Sequence, residues 1–245
     1  MVDIHCHILA EVDDGAKSWD ISEAMCRMAV EDGTDHIVAS PHANHRYAYD
    51  REYLTKIVDY LQQRVGEAPQ LSLGCDFHLS YENLQDVMVH PERYVIAGGP
   101  YLLVELSNFS IPAQIADSYR KLIEIGLKPI ITHPERNPLL QKNPQQVLRW
   151  IELGCAVQVT ASALTGGWGE AAWRSALWLL KRGAVHFLAS DGHDTKRRPP
   201  VMSQAREAIA ESFGEDVSRA LVEENPRAVV SGQPLPYFPA PVVKA

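Results

Sequence analysis

The chain has 245 residues, 46% hydrophobic and 22% charged, which is enough apolar side chain for a sizeable core and too much for a disordered polypeptide. A formal net charge of −8 and a pI near 5.7 argue against a broad basic face for nucleic acid. No apolar run of ~18 residues spans a membrane and the start lacks the basic-then-apolar layout of a signal peptide, so a cytoplasmic location is expected, without membrane insertion.

The first apolar run, VDIHC from Val2, has the alternation of a strand, which turns His5 and His7 to one face and Cys6 to the other. At roughly 3.3 Å of rise per residue the two imidazoles stand about 7 Å apart along the backbone, close enough to converge on one metal ion. Two exposed histidines on an edge strand are the alternative that this motif alone leaves open. SWDISEAMCRMAVEDG follows, with a capping Ser18, helical apolar spacing and a stop at Gly33. HIVAS from His36 is the second strand, and a helix from Asp50 leads to the third, LSLGC from Leu71. The region LGCDFHLSYENLQDV departs from this plan and is expected to be a longer, partly irregular connection. YLLVEL from Tyr101, KPIIT from Lys128, CAVQV from Cys155 and VHFLAS from Val185 complete seven strands, with helices from Pro112, Asn143 and Glu170 between them. The tail SGQPLPYFPAPVVKA, from about residue 231, carries four prolines and is expected to be extended against the surface or a partner.

Strand, helix and glycine in regular succession predict an α/β fold with a parallel sheet, and seven such units in residues 1–245 predict one domain closed into a distorted TIM-like (β/α)7 barrel. A doubly wound open sheet is the alternative. In parallel barrels functional groups collect at the carboxyl ends of the strands. There the sequence offers His5, His7, Asp13 and Asp14 after strand one, His42 after strand two, Asp76 and His78 after strand three, Glu105 on strand four, His133 after strand five, and Asp191 and His193 after strand seven. Imidazoles mixed with carboxylates and no thiolate suit manganese, iron or zinc, and the donors exceed what one ion needs, so two or three ions are expected. Arg136 and Arg198 follow the histidine motifs closely, and a guanidinium fork beside metal ions suits an anionic oxygen ligand such as phosphate; Arg197 reads as a solvated loop charge. The aromatic residues Tyr47, Phe109 and Trp168 fall on predicted rim loops, where plain packing is the competing reading.

The four cysteines form no CxxC pair and read as reduced, buried thiols, and none is followed five residues later by Arg, which disfavours a cysteine-phosphatase route. Of the remaining histidines, His36, His45, His90 and His186 match no ligand motif; His186 is expected in the core, and His45 and His78 beside the site.

DIHCHILAEVDDGA, SPH, LLVEL, THPER, SDGH followed by RRPP, and EENP together resemble the polymerase and histidinol phosphatase (PHP) superfamily, and within it the bacterial manganese-dependent protein-tyrosine phosphatases of capsule and exopolysaccharide loci. The resemblance runs from Val2 to about Val230 and implies the distorted seven-stranded barrel of the PHP fold with three metal ions, manganese first, iron or zinc as alternatives. Carried over motif by motif, it implies that His5, His7 and Asp191 hold one ion, His133 and Glu105 a second, and His42, His193 and Asp14 the third. Asp76 stands where the family has a bridging Glu, one methylene longer. Arg136 and Arg198 would hold the phosphate, and either Asp14 or a metal-bound water could serve as general acid. The implied substrate is the phosphotyrosine tail of a bacterial tyrosine autokinase. A phosphatase of a small phosphomonoester such as histidinol phosphate, and a non-catalytic metal-stabilised binding module, are the alternatives.

Overall fold

Helix starts sit where short polar side chains occupy free backbone N–H groups. In the computed structural model, which describes residues 1–242, Ser18 Oγ accepts from Ile21 N and opens the helix Trp19–Glu31, and Asp50 Oδ1 accepts from Tyr53 N and opens Arg51–Val65. Past the first of these, Gly33 takes φ +91°, the left-handed turn that a side chain would resist. The helices expected from Pro112, Asn143 and Glu170 are Ile115–Glu124, Gln145–Glu152 and Gly169–Leu180.

The strands are β1 (Val2–Cys6), β2 (His36–Ala39), β3 (His42–Ala43), β4 (Gln70–Leu73), β5 (Asp76–His78), β6 (Tyr101–Glu105), β7 (Lys128–Thr132), β8 (Ala156–Thr160) and β9 (Phe187–Ala189). All pairings are parallel and fall into two sheets, ordered β1-β2-β4 and β3-β5-β6-β7-β8-β9. The second and third strands of the expected seven are thus each broken in two. Pro41, which lacks an N–H, separates β2 from β3, and Gly74 separates β4 from β5. A Cβ on Gly74 would lie 2.7 Å from Val38 Cγ1 and 3.1 Å from Ile96 Cγ1, so only glycine lets the chain step inward there. The sheets meet at their carboxyl ends, where Cys6 bridges to Gly192 and His7 N donates to Gly192 O at 2.8 Å.

The region expected to be irregular is ordered: it contains β5 and the helix Tyr81–Val89, capped by Ser80 Oγ on Asn83 N. What hid it was the brevity of β5, three residues. Alternation along β6 turns Leu102 and Val104 toward Tyr119 and Leu122 of the outer helices, and Tyr101 and Leu103 toward an inner cluster with Ile130, Ala156 and Phe187. Glu105 shares the inward face at the carboxyl end.

At the opposite end the proline-rich segment runs without helix or strand as far as residue 242; the rest of the expected extended tail lies outside the described residues. Asn225 of the EENP motif is fully buried and holds it, donating to His186 O (2.9 Å) and Tyr237 O (2.7 Å) and accepting from Tyr237 N (2.9 Å). Among the described residues, no helix is long and apolar enough to cross a membrane.

Candidate metal centre

The turns at the carboxyl ends carry unusual backbone. His133 and Asp191 adopt left-handed φ values of 35° and 51°, a conformation that non-glycine residues hold only where the surroundings enforce it. The loop after β1 is pressed close: a Cβ on Gly15 would stand 2.0 Å from His7 O, so Gly15 is required for Asp13 and Asp14 to reach the site. Asp13 Oδ2 then accepts from His7 Nδ1 at 2.7 Å and from His42 N at 3.1 Å.

Three groups of donors result. His5 Nε2, His7 Nε2 and Asp191 Oδ1 form a triangle with sides of 3.2, 3.4 and 3.6 Å. Asp14 Oδ1 lies 3.3 Å from His42 Nε2 and 3.5 Å from His193 Nε2, with His7 in the same group. The other ring nitrogen of His42, Nδ1, is 3.2 Å from Asp76 Oδ2 and 3.8 Å from Glu105 Oε2. Asp76 Oδ2 is also 3.5 Å from His5 Nε2, so this shorter carboxylate stands between two groups, brought in by the step at Gly74. His133 reaches Glu105 only at 3.9 Å and belongs to none of the three-residue groups.

The residues fit divalent cations. His42 Nδ1, Asp76 Oδ2 and His193 Nε2 are buried without a hydrogen bond of acceptable geometry, although each faces other donors of the cluster. The same donors compete for protons. Burial disfavours charge on His5, but Asp76 and Asp191 overcome it and push the ring up to about 9. Burial likewise opposes charge on His42, and the nearby carboxylates of Asp14 and Asp76 lift it to about 11. His7 goes the other way, lowered to about 4 by burial and by His193, which leaves its Nε2 as a neutral ligand atom. The imidazoles of His193 and His42 facing Oδ1 hold Asp14 well below the usual carboxylate range. Burial also opposes ionisation of Asp191, yet Arg136, His5 and Arg198 hold its carboxyl well below that range.

Asp191 divides its two oxygens. While Oδ1 faces the imidazoles, Oδ2 accepts from Arg136 Nη2 and Arg198 Nη2, each at 2.5 Å. Arg136 Nη1 and Arg198 Nε remain buried and unpartnered, and both guanidiniums line the same cavity of about 230 Å³ as Asp14, His42, Asp76 and Glu105. Arg197 is exposed, as a solvated loop charge should be.

His78 Nδ1 lies 3.4 Å from Glu105 Oε2 at the edge of the site, while His45 is exposed. All four cysteines are free and buried; Cys6 donates weakly to Gly192 O, and burial pushes its thiol well above the ordinary range.

Three participants were not picked out from the sequence as members of the site. Gln158 is fully buried in β8 and its Oε1 pairs with His5 Nδ1 at 2.9 Å; a lone amide within CAVQV was the available signal. Asn108 lines the cavity, and nothing in its motif marks it. Trp168, singled out only as a rim aromatic, stacks on Arg136.

Known proteins share this chain's sequence and fold. The profile of the family described as capsular polysaccharide synthesis, CpsB/CapC, matches residues 1–231. The chain is 30% identical over 226 residues to tyrosine-protein phosphatase YwqE of Bacillus subtilis, covering 91% of this chain and 89% of that protein. It is 29% identical over 244 residues to tyrosine-protein phosphatase CpsB of Streptococcus pneumoniae, covering 95% and 99%. Among solved structures it superposes, with TM-score 0.91, 30% identity and full coverage of both chains, on one from a study of YwqE and CpsB described as metal-dependent tyrosine phosphatases.

Proposed function

The chain belongs to the CpsB/CapC family of capsular polysaccharide synthesis, and from that premise we propose that it is a metal-dependent protein-tyrosine phosphatase. One observation carries the reading: a single cavity is lined by His42, His133, His193 and four carboxylates, Asp14, Asp76, Glu105 and Asp191, together with two guanidinium groups with free N–H. We assign His5, His7 and Asp191 to one ion, His42, His193 and Asp14 to another, and Glu105 with His133 to a third, with Asp76 shared between groups. The oxygen and neutral imidazole donors suit manganese, with iron or zinc as competitors. Such ions, when bound, supply Lewis acidity and activate water as a nucleophile near neutral pH.

The protein's own groups do the rest. Arg136 and Arg198, pinned through Nη2 to Asp191, offer Arg136 Nη1 and Arg198 Nε to phosphate oxygens, so the anion is gripped next to the donor clusters. Asp13 and Gln158 fix the His7 and His5 rings through Nδ1, turning Nε2 of each toward the site. Asp14 Oδ1, half exposed at the mouth between two imidazoles, is held ionised and so serves as a ligand rather than as the proton donor to the leaving group. A phenolate leaves more readily than an alkoxide and asks less of that donor. The substrate in this reading is the phosphotyrosine tail of a bacterial tyrosine autokinase, met in the cytoplasm, with residues 1–245 acting as one phosphatase unit.

Manganese-loaded and chelator-stripped protein should be assayed on a tyrosine-phosphorylated peptide beside histidinol phosphate. Manganese-dependent turnover of the peptide alone is expected. Turnover of histidinol phosphate alone would move the protein to small phosphomonoesters, and turnover of neither, with metal bound, would leave a binding module.

A further inference from the structure

Of the rim aromatics, Trp168 touches both arginines of the anion site. Its ring lies 4.0 Å from Arg136 Cζ and 5.2 Å from Arg198 Cζ. A guanidinium donates hydrogen bonds only in its own plane, so an aromatic ring over its face holds it without using any N–H. Asp191 pins each arginine in-plane at Nη2, and the indole adds a constraint across the plane. Arg136 Nη1 and Arg198 Nε are left over, buried and unpartnered.

The loop is shaped to seat the indole. Trp168 Nε1 donates to Ser162 Oγ at 2.9 Å, and Gly167 N donates to Ser162 O at 2.7 Å. A Cβ on Gly167 would come within 3.1 Å of Ser162, a tight approach that glycine avoids as the turn closes over that serine. Trp168 is 37% exposed, held to this turn by Ser162 and packed over Arg136.

We propose that Trp168 is the positioning residue of the anion site, holding Arg136, and more loosely Arg198, with their free N–H edges turned to an incoming phosphate. The inference rests on the phosphatase reading and deepens it. Trp168 acts through the arginines.

Calorimetric titration of manganese-loaded protein with inorganic phosphate reads the site without turnover. Trp168→Leu should weaken phosphate binding about tenfold, the scale of a desolvated cation–π contact. It should raise KM for a phosphotyrosine peptide more than it lowers kcat, with metal content unchanged. Trp168→Phe, which keeps an aromatic face, should recover most of the loss. Ser162→Ala, which frees only the indole N–H, should weaken phosphate about two- to threefold and serves if the leucine variant does not fold. In an Arg136→Ala background Trp168→Leu should cost less than about twofold, because the group it positions is gone.

Unchanged phosphate affinity in the Trp168 and Ser162 variants overturns the proposal. So does a full tenfold loss in the Arg136→Ala background, or a loss of metal along with phosphate. If the parent protein itself binds no phosphate, the phosphatase reading falls and takes this one with it.

Discussion

His5 and His186 are both fully buried imidazoles, His5 near the carboxyl end of β1 and His186 immediately before the amino end of β9. At the carboxyl end His5 faces Asp76 and Asp191 at 3.5 and 3.6 Å, and these carboxylates overcome burial to push it up to about 9. Before β9, at the amino end, His186 accepts one backbone hydrogen bond from Val157 N and lies 4.2 Å from the Phe238 ring, so burial alone pushes it down to about 3. A buried histidine with a backbone partner and an aromatic neighbour ties the fold together. One among several carboxylates, with donors left over, holds charge that folding does not need.

The contrast breaks if the two ends respond alike to substitution. His5→Ala should abolish metal binding and activity together, lowering kcat/KM by about 1,000-fold or about 4 kcal/mol, with the fold retained by circular dichroism. Activity surviving in metal-free His5→Ala protein would refute the assignment. Arg136→Ala should spare metal content and lower kcat/KM by about 100-fold, since it removes a charge-assisted donor and leaves the donor clusters in place. At the other end Asn225→Ala should cost about 1–3 kcal/mol of stability in denaturant titration, by orphaning His186 O and the Tyr237 backbone, with little change in kcat/KM per folded molecule.

The smallest effect sharpens the contrast through pH. The His186 pKa is depressed in the folded state, so its contribution to stability is present above the ordinary value of 6.5 and is lost as pH falls from 6.5 toward 3. By pH 5 the loss should be about 2 kcal/mol. His186→Gln should flatten that part of the stability profile. An identical acid slope in parent and variant would show that His186 is not the group responsible.

Much of the site was legible because parallel α/β units send strand ends to one rim, so a polar residue after each apolar run could be placed without knowing its neighbours. Ser18 and Asp50 announced their helices through local capping, which needs only a few adjacent residues. What stayed hidden depends on long-range approach. The breaks at Pro41 and Gly74 follow from how β4 and β5 pack against β2 and Ile96, and the pairing of Gln158 with His5 spans 153 positions. Trp168 is the clearest case: its motif gave an aromatic on a loop, and only the fold brings Arg136 and Arg198 beneath it. The grouping implied for Glu105 and His133 is the loosest match, because Glu105 lies nearer to His42 than to His133.

Anomalous diffraction from crystals grown with manganese tests the central claim most directly. Peaks are expected within His5, His7 and Asp191, within His42, His193 and Asp14, and beside Glu105 and His133, with none near His186. No peak in that cavity, or manganese held only by surface groups such as His90 and Glu92, would contradict it.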